Sequence, residues 1–218
     1  MLRLLALSSA AALCAVPAAA QTWTAAPTAA DMAAAYPEKA RAQGVGGGAQ
    51  LVCTAARDGA LEDCEILAEA PRGLGFGAAA RKLVEDKLRV AGVVKGTEVQ
   101  VPVSFPAELA KGATSTVKTP VWASLPNVGE MQAAAPKEPG GPNNVRVTLV
   151  CDVQAGGTLS GCTVDREEPT GHGFGQAILG LAPRFQVALM SAEGMPTVGA
   201  KVRVPVRFDL RPVEQAAK

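Results

Sequence analysis

Four cysteines are the residues whose type and spacing could do chemistry. Cys53 and Cys64 stand eleven positions apart in VCTAARDGALEDCEI (Val52–Ile66), and Cys151 and Cys162 stand eleven apart in VCDVQAGGTLSGCTV (Val150–Val164). A zinc site wants four ligands, usually in Cys-x-x-Cys or Cys/His spacing. With one histidine in the chain, and the fifth cysteine, Cys14, in the apolar first twenty residues, zinc would need all four of these cysteines drawn from both segments. Redox catalysis wants a close Cys-x-x-Cys with a low-pKa thiol, and neither pair has it. Structural disulfides are the reading that the spacing supports.

The other candidates are weaker. His172 is the only histidine, but its counterpart in the earlier segment is Leu74, so the fold does not require an imidazole there. No serine or cysteine nucleophile has a partner base encoded nearby, and the carboxylates are scattered. GLGFG (Gly73–Gly77) and GHGFG (Gly171–Gly175) invite comparison with phosphate loops. The sixth position is Ala78 in one and Gln176 in the other, and no Lys-Ser/Thr pair follows, so the G-x-G-x-x-G pattern fails. A tight turn with Phe76 and Phe174 inserted under a helix start is expected instead. The chain reads as no enzyme, with no cofactor and no metal.

These residues sit in a repeat that covers nearly the whole chain. At an offset of 98, Leu51, Val52, Cys53, Gly59, Leu61, Cys64, Pro71, Gly73, Gly75, Phe76 and Gly77 all recur. Upstream, at an offset of 99, Trp23, Pro27, Met32 and Pro37 match Trp122, Pro126, Met131 and Pro136. Downstream the offset grows to 103, where VQVPVSF (Val99–Phe105) matches VRVPVRF (Val202–Phe208). Two tandem domains of one fold are expected over 21–106 and 121–212. A loose linker over 107–120 joins them, and a tail follows over 213–218.

Within each unit the order reads helix, strand, strand, helix, strand. Thr28 can cap a short helix over Ala29–Ala35, and Pro37 suits the first turn of a second, ending near Gly44. A main helix is expected over Ala78–Val90. Val99, Val101, Val103 and Phe105 alternate with Gln100, Pro102 and Ser104, the pattern of a half-buried strand. The fold class is α+β, with a small antiparallel sheet of hairpin plus last strand packed on the helix. In the second unit the first helical segment has decayed to PKEPGGPNN, and the main helix meets Pro183.

Type I′ turns centred on Asp58-Gly59 and Gly156-Gly157 place each cysteine directly opposite its partner, close enough for a disulfide. Alternation puts Cys53 with Leu51 and Ala55, Cys64 with Ile66, Cys151 with Val147, Leu149 and Val153, and Cys162 with Val164. The disulfides therefore face the core. Pro102 and Pro205 cannot donate to a ladder, so their strands belong at a sheet edge with the proline nitrogen outward. Such an edge can accept an extended peptide by β-augmentation. The candidate binding residues are Val99, Gln100, Val101 and Val103, with Val202, Arg203, Val204 and Val206.

The first twenty residues, MLRLLALSSAAALCAVPAAA, have the layout of a secretory signal peptide cut after Ala20. Its removal takes the 21 basic residues to 20, matching the 20 acids. No Lys/Arg-rich run points to nucleic acid or to a membrane surface. Secretion favours disulfides. The alternative is an uncleaved N-terminus that anchors the chain in the inner membrane.

YPEKA (Tyr36–Ala40), the DGALEDC turn, GFG and the closing VPVSF together resemble the C-terminal domain of TonB, in a secreted, cysteine-bearing branch. The likeness covers nearly all of the first unit. In the second, Ala135 replaces the tyrosine of YP. The resemblance implies the fold and peptide binding along the last strand of a unit. It implies a protein or peptide partner in the periplasm, outer-membrane receptor segments among the options, and no small-molecule cofactor or nucleic acid. A periplasmic, non-catalytic binding module is the expectation. An anchored transducer serving receptor-dependent transport is the alternative.

Overall fold

The computed structural model describes residues 21–137 and 141–210; the expected leader (1–20) and tail (213–218) lie outside the described residues. After strand β1 (Thr22–Ala25), the Thr28 hydroxyl accepts from the Asp31 N–H at 3.1 Å, and Thr28 N–H donates back to Asp31 Oδ2 at 2.9 Å. This reciprocal cap satisfies two orphan donors and starts α1 (Ala29–Ala34). Helix α2 (Glu38–Gln43) begins after Pro37 and stops at Gly44. Strands β2 (Gly47–Ala55) and β3 (Leu61–Ala70) form the hairpin, followed by α3 (Phe76–Lys87), β4 (Arg89–Ala91) and β5 (Glu98–Phe105). The joint between units contains α4 (Ala107–Ala110) and β6 (Thr116–Val117). The second unit comprises β7 (Trp122–Ser124), α5 (Val128–Ala134), β8 (Asn144–Val153), β9 (Leu159–Glu168), α6 (Phe174–Leu181), β10 (Gln186–Val187) and β11 (Lys201–Asp209).

The chain is α+β with mostly antiparallel sheets. The first main sheet has the order β3-β2-β5, and the second β6-β11-β8-β9. Period-two alternation decides which face is buried. Leu51, Cys53 and Ala55 of β2 and Val99, Val101, Val103 and Phe105 of β5 point into one core. There they meet Phe76, Ala80, Leu83 and Val84 of α3, whose three- and four-residue spacing makes one apolar stripe. Tyr36, Phe76 and Phe105 form an aromatic cluster with centroids 5.4–5.9 Å apart, and the Tyr36 hydroxyl donates to Val45 O at 2.7 Å. Burial pushes the pKa of that phenol upward. With Ala135 in the tyrosine's place, the second core keeps the Phe174–Phe208 pair at 4.9 Å.

The cysteines are joined as Cys53–Cys64 and Cys151–Cys162, with Cα separations of 4.1 and 4.0 Å. The turns that bring them there differ from the expected two-residue type. Ala56 N–H donates to Ala60 O and Gly59 N–H to Ala56 O, so the first loop holds three residues, Arg57 to Gly59. Gln154 and Thr158 close the second loop in the same way. The added residue slips the register to Thr54↔Glu62, and a bulge restores it at Val52↔Glu65. Asp63 (φ 50) and Gly161 (φ 57) occupy the same repeat position at these bulges. Two residues there oppose one, which returns each cysteine to its partner. Ile66, expected beside Cys64 in the core, is instead 40% exposed, alongside Gly77 at the start of α3.

Four further features depart from the sequence reading. Short ribbons, β1 with β4 and β7 with β10, were not foreseen; Val90 N–H of β4 donates to Gly59 O at 2.9 Å, tying the ribbon to the hairpin tip. The main helix begins at Phe76 and ends at Lys87, leaving Val90 in β4. The first helix of the second unit is retained as α5, capped by Asn127 and Glu130, ahead of PKEPGGPNN, of which residues 138–140 lie outside the described residues. The linker is not loose: Leu109 joins the first core, Val117 the second, and Ser115 is 1% exposed.

Candidate functional site

The last strands of the two units carry the candidate residues. In β5 the side chains of Val99, Val101 and Val103 are buried, while Gln100 is exposed on the opposite face. In β11, Val202, Val204 and Val206 are buried and Arg203 is exposed, paired with Asp165. The valines therefore build cores, and what each strand offers a partner is its backbone edge and its open face.

Strand β5 is bonded to β2 on one side and, among the described residues, has no strand on the other. Its register with β2 includes Gln50↔Pro102 and Gly48↔Ser104. Ser104 N–H points to the outer edge, where it donates to Gly194 O of the second unit at 3.0 Å. By the two-residue period, Pro102 belongs to the same outward set. Its missing N–H removes no bond to β2. In the second sheet, β6 lies parallel along the start of β11, and Lys201 N–H donates to Ser115 O at 2.9 Å. Pro205 is on the same outward set as Lys201. β11 is thus an interior strand where β6 covers it, which differs from the edge position read from Pro205. β5 keeps its edge position, with one backbone hydrogen bond, Ser104 N–H to Gly194 O, from the other unit.

A groove of about 500 Å³ runs along the outer side of β5 between the units. Gln50, Gln100 and Pro102 form one wall; Gln21 and Trp23 come from the start of the chain, and Val121, Met190 and Gly194 from the second unit. No lining side chain is ionisable. The wall is amide, proline, indole, hydroxyl and thioether, which suits hydrogen bonding to a neutral main chain and apolar contact. Among the described residues no group of three or more His, Cys, Asp or Glu could hold a metal. His172 lies half-buried in the turn before α6, and Leu74 is half-buried at the equivalent place.

One pair of residues that residue-type reasoning passed over is Glu69 and Glu167. Glu69 Oε1 accepts from Gly73 N–H at 2.8 Å and Oε2 from Gly77 N–H at 2.7 Å. Those two bonds, the Gly77 bond first, hold its pKa below the usual range. Glu167 accepts from Phe174 N–H at 3.1 Å. Both glutamates clamp the glycine turn onto a helix start. Their shared position in the repeat, 69 and 167, was the signal that could have revealed them.

No family model matches the chain. It is 32% identical over 99 residues to an uncharacterized protein of Caulobacter vibrioides, a match spanning 45% of this chain and 98% of that relative. The relative is therefore about one repeat unit long. No helix among the described residues is long and apolar enough to cross a membrane.

Proposed function

We propose that this chain, which belongs to one family with that uncharacterized Caulobacter vibrioides protein, is a periplasmic, non-catalytic module that binds an extended peptide segment of a protein partner along the outer edge of β5. The observation that carries the reading is the outward Ser104 N–H, which donates to a main-chain carbonyl, Gly194 O, of the second unit beside an uncharged groove. The parallel addition of β6 to β11 supports it, because the equivalent edge in the second unit accepts a strand from the chain itself. β-Augmentation draws affinity from such main-chain bonds and specificity from neighbouring pockets. The resemblance of YPEKA, GFG and VPVSF to the TonB C-terminal domain supports the same strand and makes outer-membrane receptor segments the first partners to examine. Two disulfides and the leader-like first twenty residues support an oxidising compartment.

The experiment is photo-crosslinking in intact cells from residues placed at Gln100 and at Arg203. Discrete protein adducts from Gln100 are expected, with fewer from Arg203, where β6 covers the start of the strand. No adducts from Gln100 would refute the proposal. A mature N-terminus at Gln21 in the soluble fraction is expected alongside.

A further inference from the structure

The repeat offset grows from 98 before the main helix to 103 at the last strand, so the second unit carries five extra residues between them. Those residues enlarge the loop over 188–199, and this loop reaches the first unit. Met190 is 4% exposed and belongs to the first unit's core. Gly194 O accepts the outward Ser104 N–H of β5. At the far end of the loop, Val198 O accepts from Ala29 N–H at 2.8 Å.

Gly194 is fitted closely. A Cβ there would lie 2.0 Å from Pro102 O and 2.8 Å from Val103 N, and its φ is +78. Both the conformation and the space require glycine. The loop thus lays backbone against the proposed binding edge, though it makes one backbone hydrogen bond to β5 where a partner strand would make a ladder.

We propose that the 188–199 loop is an intramolecular occupant of the β5 edge, competing with an external extended peptide segment of a protein partner. This rests on the peptide-binding reading of β5 given above. Binding then requires loop release, and apparent affinity is the intrinsic affinity multiplied by the fraction of molecules in which the loop is undocked.

The test uses the full chain with both disulfides formed, and a labelled synthetic peptide of residues 188–199 as the probe. Gly194→Val removes the fit at Pro102, and Met190→Ser removes the anchor should the first variant fail to fold. Amide exchange at Ser104 is read in each protein. The proposal predicts exchange at Ser104 about tenfold faster in the variants, and peptide binding at least about tenfold tighter than to the parent chain. Equal peptide binding by parent and variants would overturn the competition while leaving the β5 edge as a binding site. Fast Ser104 exchange with no peptide binding by any of the proteins would overturn both readings. Unchanged Ser104 protection in the folded variants would overturn the docking itself.

Discussion

Two adjacent glycines separate backbone strain from steric fit. Gly156 and Gly157 have φ values of 73 and 82, so alanine at either pays a left-handed penalty of roughly 1–2 kcal/mol. A Cβ on Gly156 meets nothing within 4 Å, whereas one on Gly157 would lie 2.0 Å from Val187 O. That oxygen is backbone in β10, and Val187 pairs with Trp122 of β7, so it cannot swing aside as a side chain would. Displacing it adds a further overpacking cost of roughly 1–3 kcal/mol. Gly156→Ala should therefore cost about 1–2 kcal/mol and Gly157→Ala about 2–5. The assay is denaturant unfolding followed by Trp122 fluorescence in a Trp23→Phe background, with thermal unfolding beside it. For a unit of this size a gap of about 1–3 kcal/mol corresponds to about 4–24 °C in Tm. Equal losses for the two variants, or a larger one at Gly156, would refute the claim that the hairpin tip is packed against the ribbon.

Acid should weaken the first unit through Glu69. Its folded-state pKa is lowered from 4.5, so its contribution is present above that value and is lost as pH falls through the lower folded value. The urea midpoint should drop as pH is taken below 4.5, and Glu69→Gln should be less stable at neutral pH with a shallower acid limb; an identical limb would exclude the clamp as its source. Replacing Cys53 and Cys64 together by serine should cost about 3 kcal/mol through the unfolded chain, read as a lower midpoint of the first transition. Non-reducing peptide mapping should give only the two within-hairpin links, and a link between units would contradict the register. Phe76→Ala, emptying the centre of the aromatic cluster, should cost about 3–5 kcal/mol in unfolding free energy; a loss under 1 kcal/mol would show that the cluster repacks.

Much of this architecture could be read from residues because each unit repeats the same local signals. Alternation in Val99–Phe105 placed the last strand and its buried face, and Thr28, Pro37 and Gly44 bounded the two short helices. The cysteine spacing fixed the pairing yet concealed the path: a two-residue turn, and a three-residue turn followed by a bulge, both bring positions eleven apart together. β1 and β4 are too short to show a period, and their pairing is decided by the tertiary contact of Val90 with Gly59. The linker looked polar around Lys118 and Thr119, although Val117 is fully buried because β11 had an edge for it. The five-residue insertion was visible as a change of offset, but its landing on β5 depends on how the units face each other. The groove was illegible for the same reason, since Trp23, Gln100 and Met190 share no stretch of sequence.

The central claim is that the outer edge of β5 receives a partner. Crosslinkers placed one at a time at Gln100, at Glu65 on β3 across the same sheet, and at Lys82 on α3 would test it most directly in intact cells. One partner band from Gln100, absent from Glu65 and Lys82, is the result predicted. The same band from all three positions, or from Glu65 alone, would place the partner elsewhere and contradict the account.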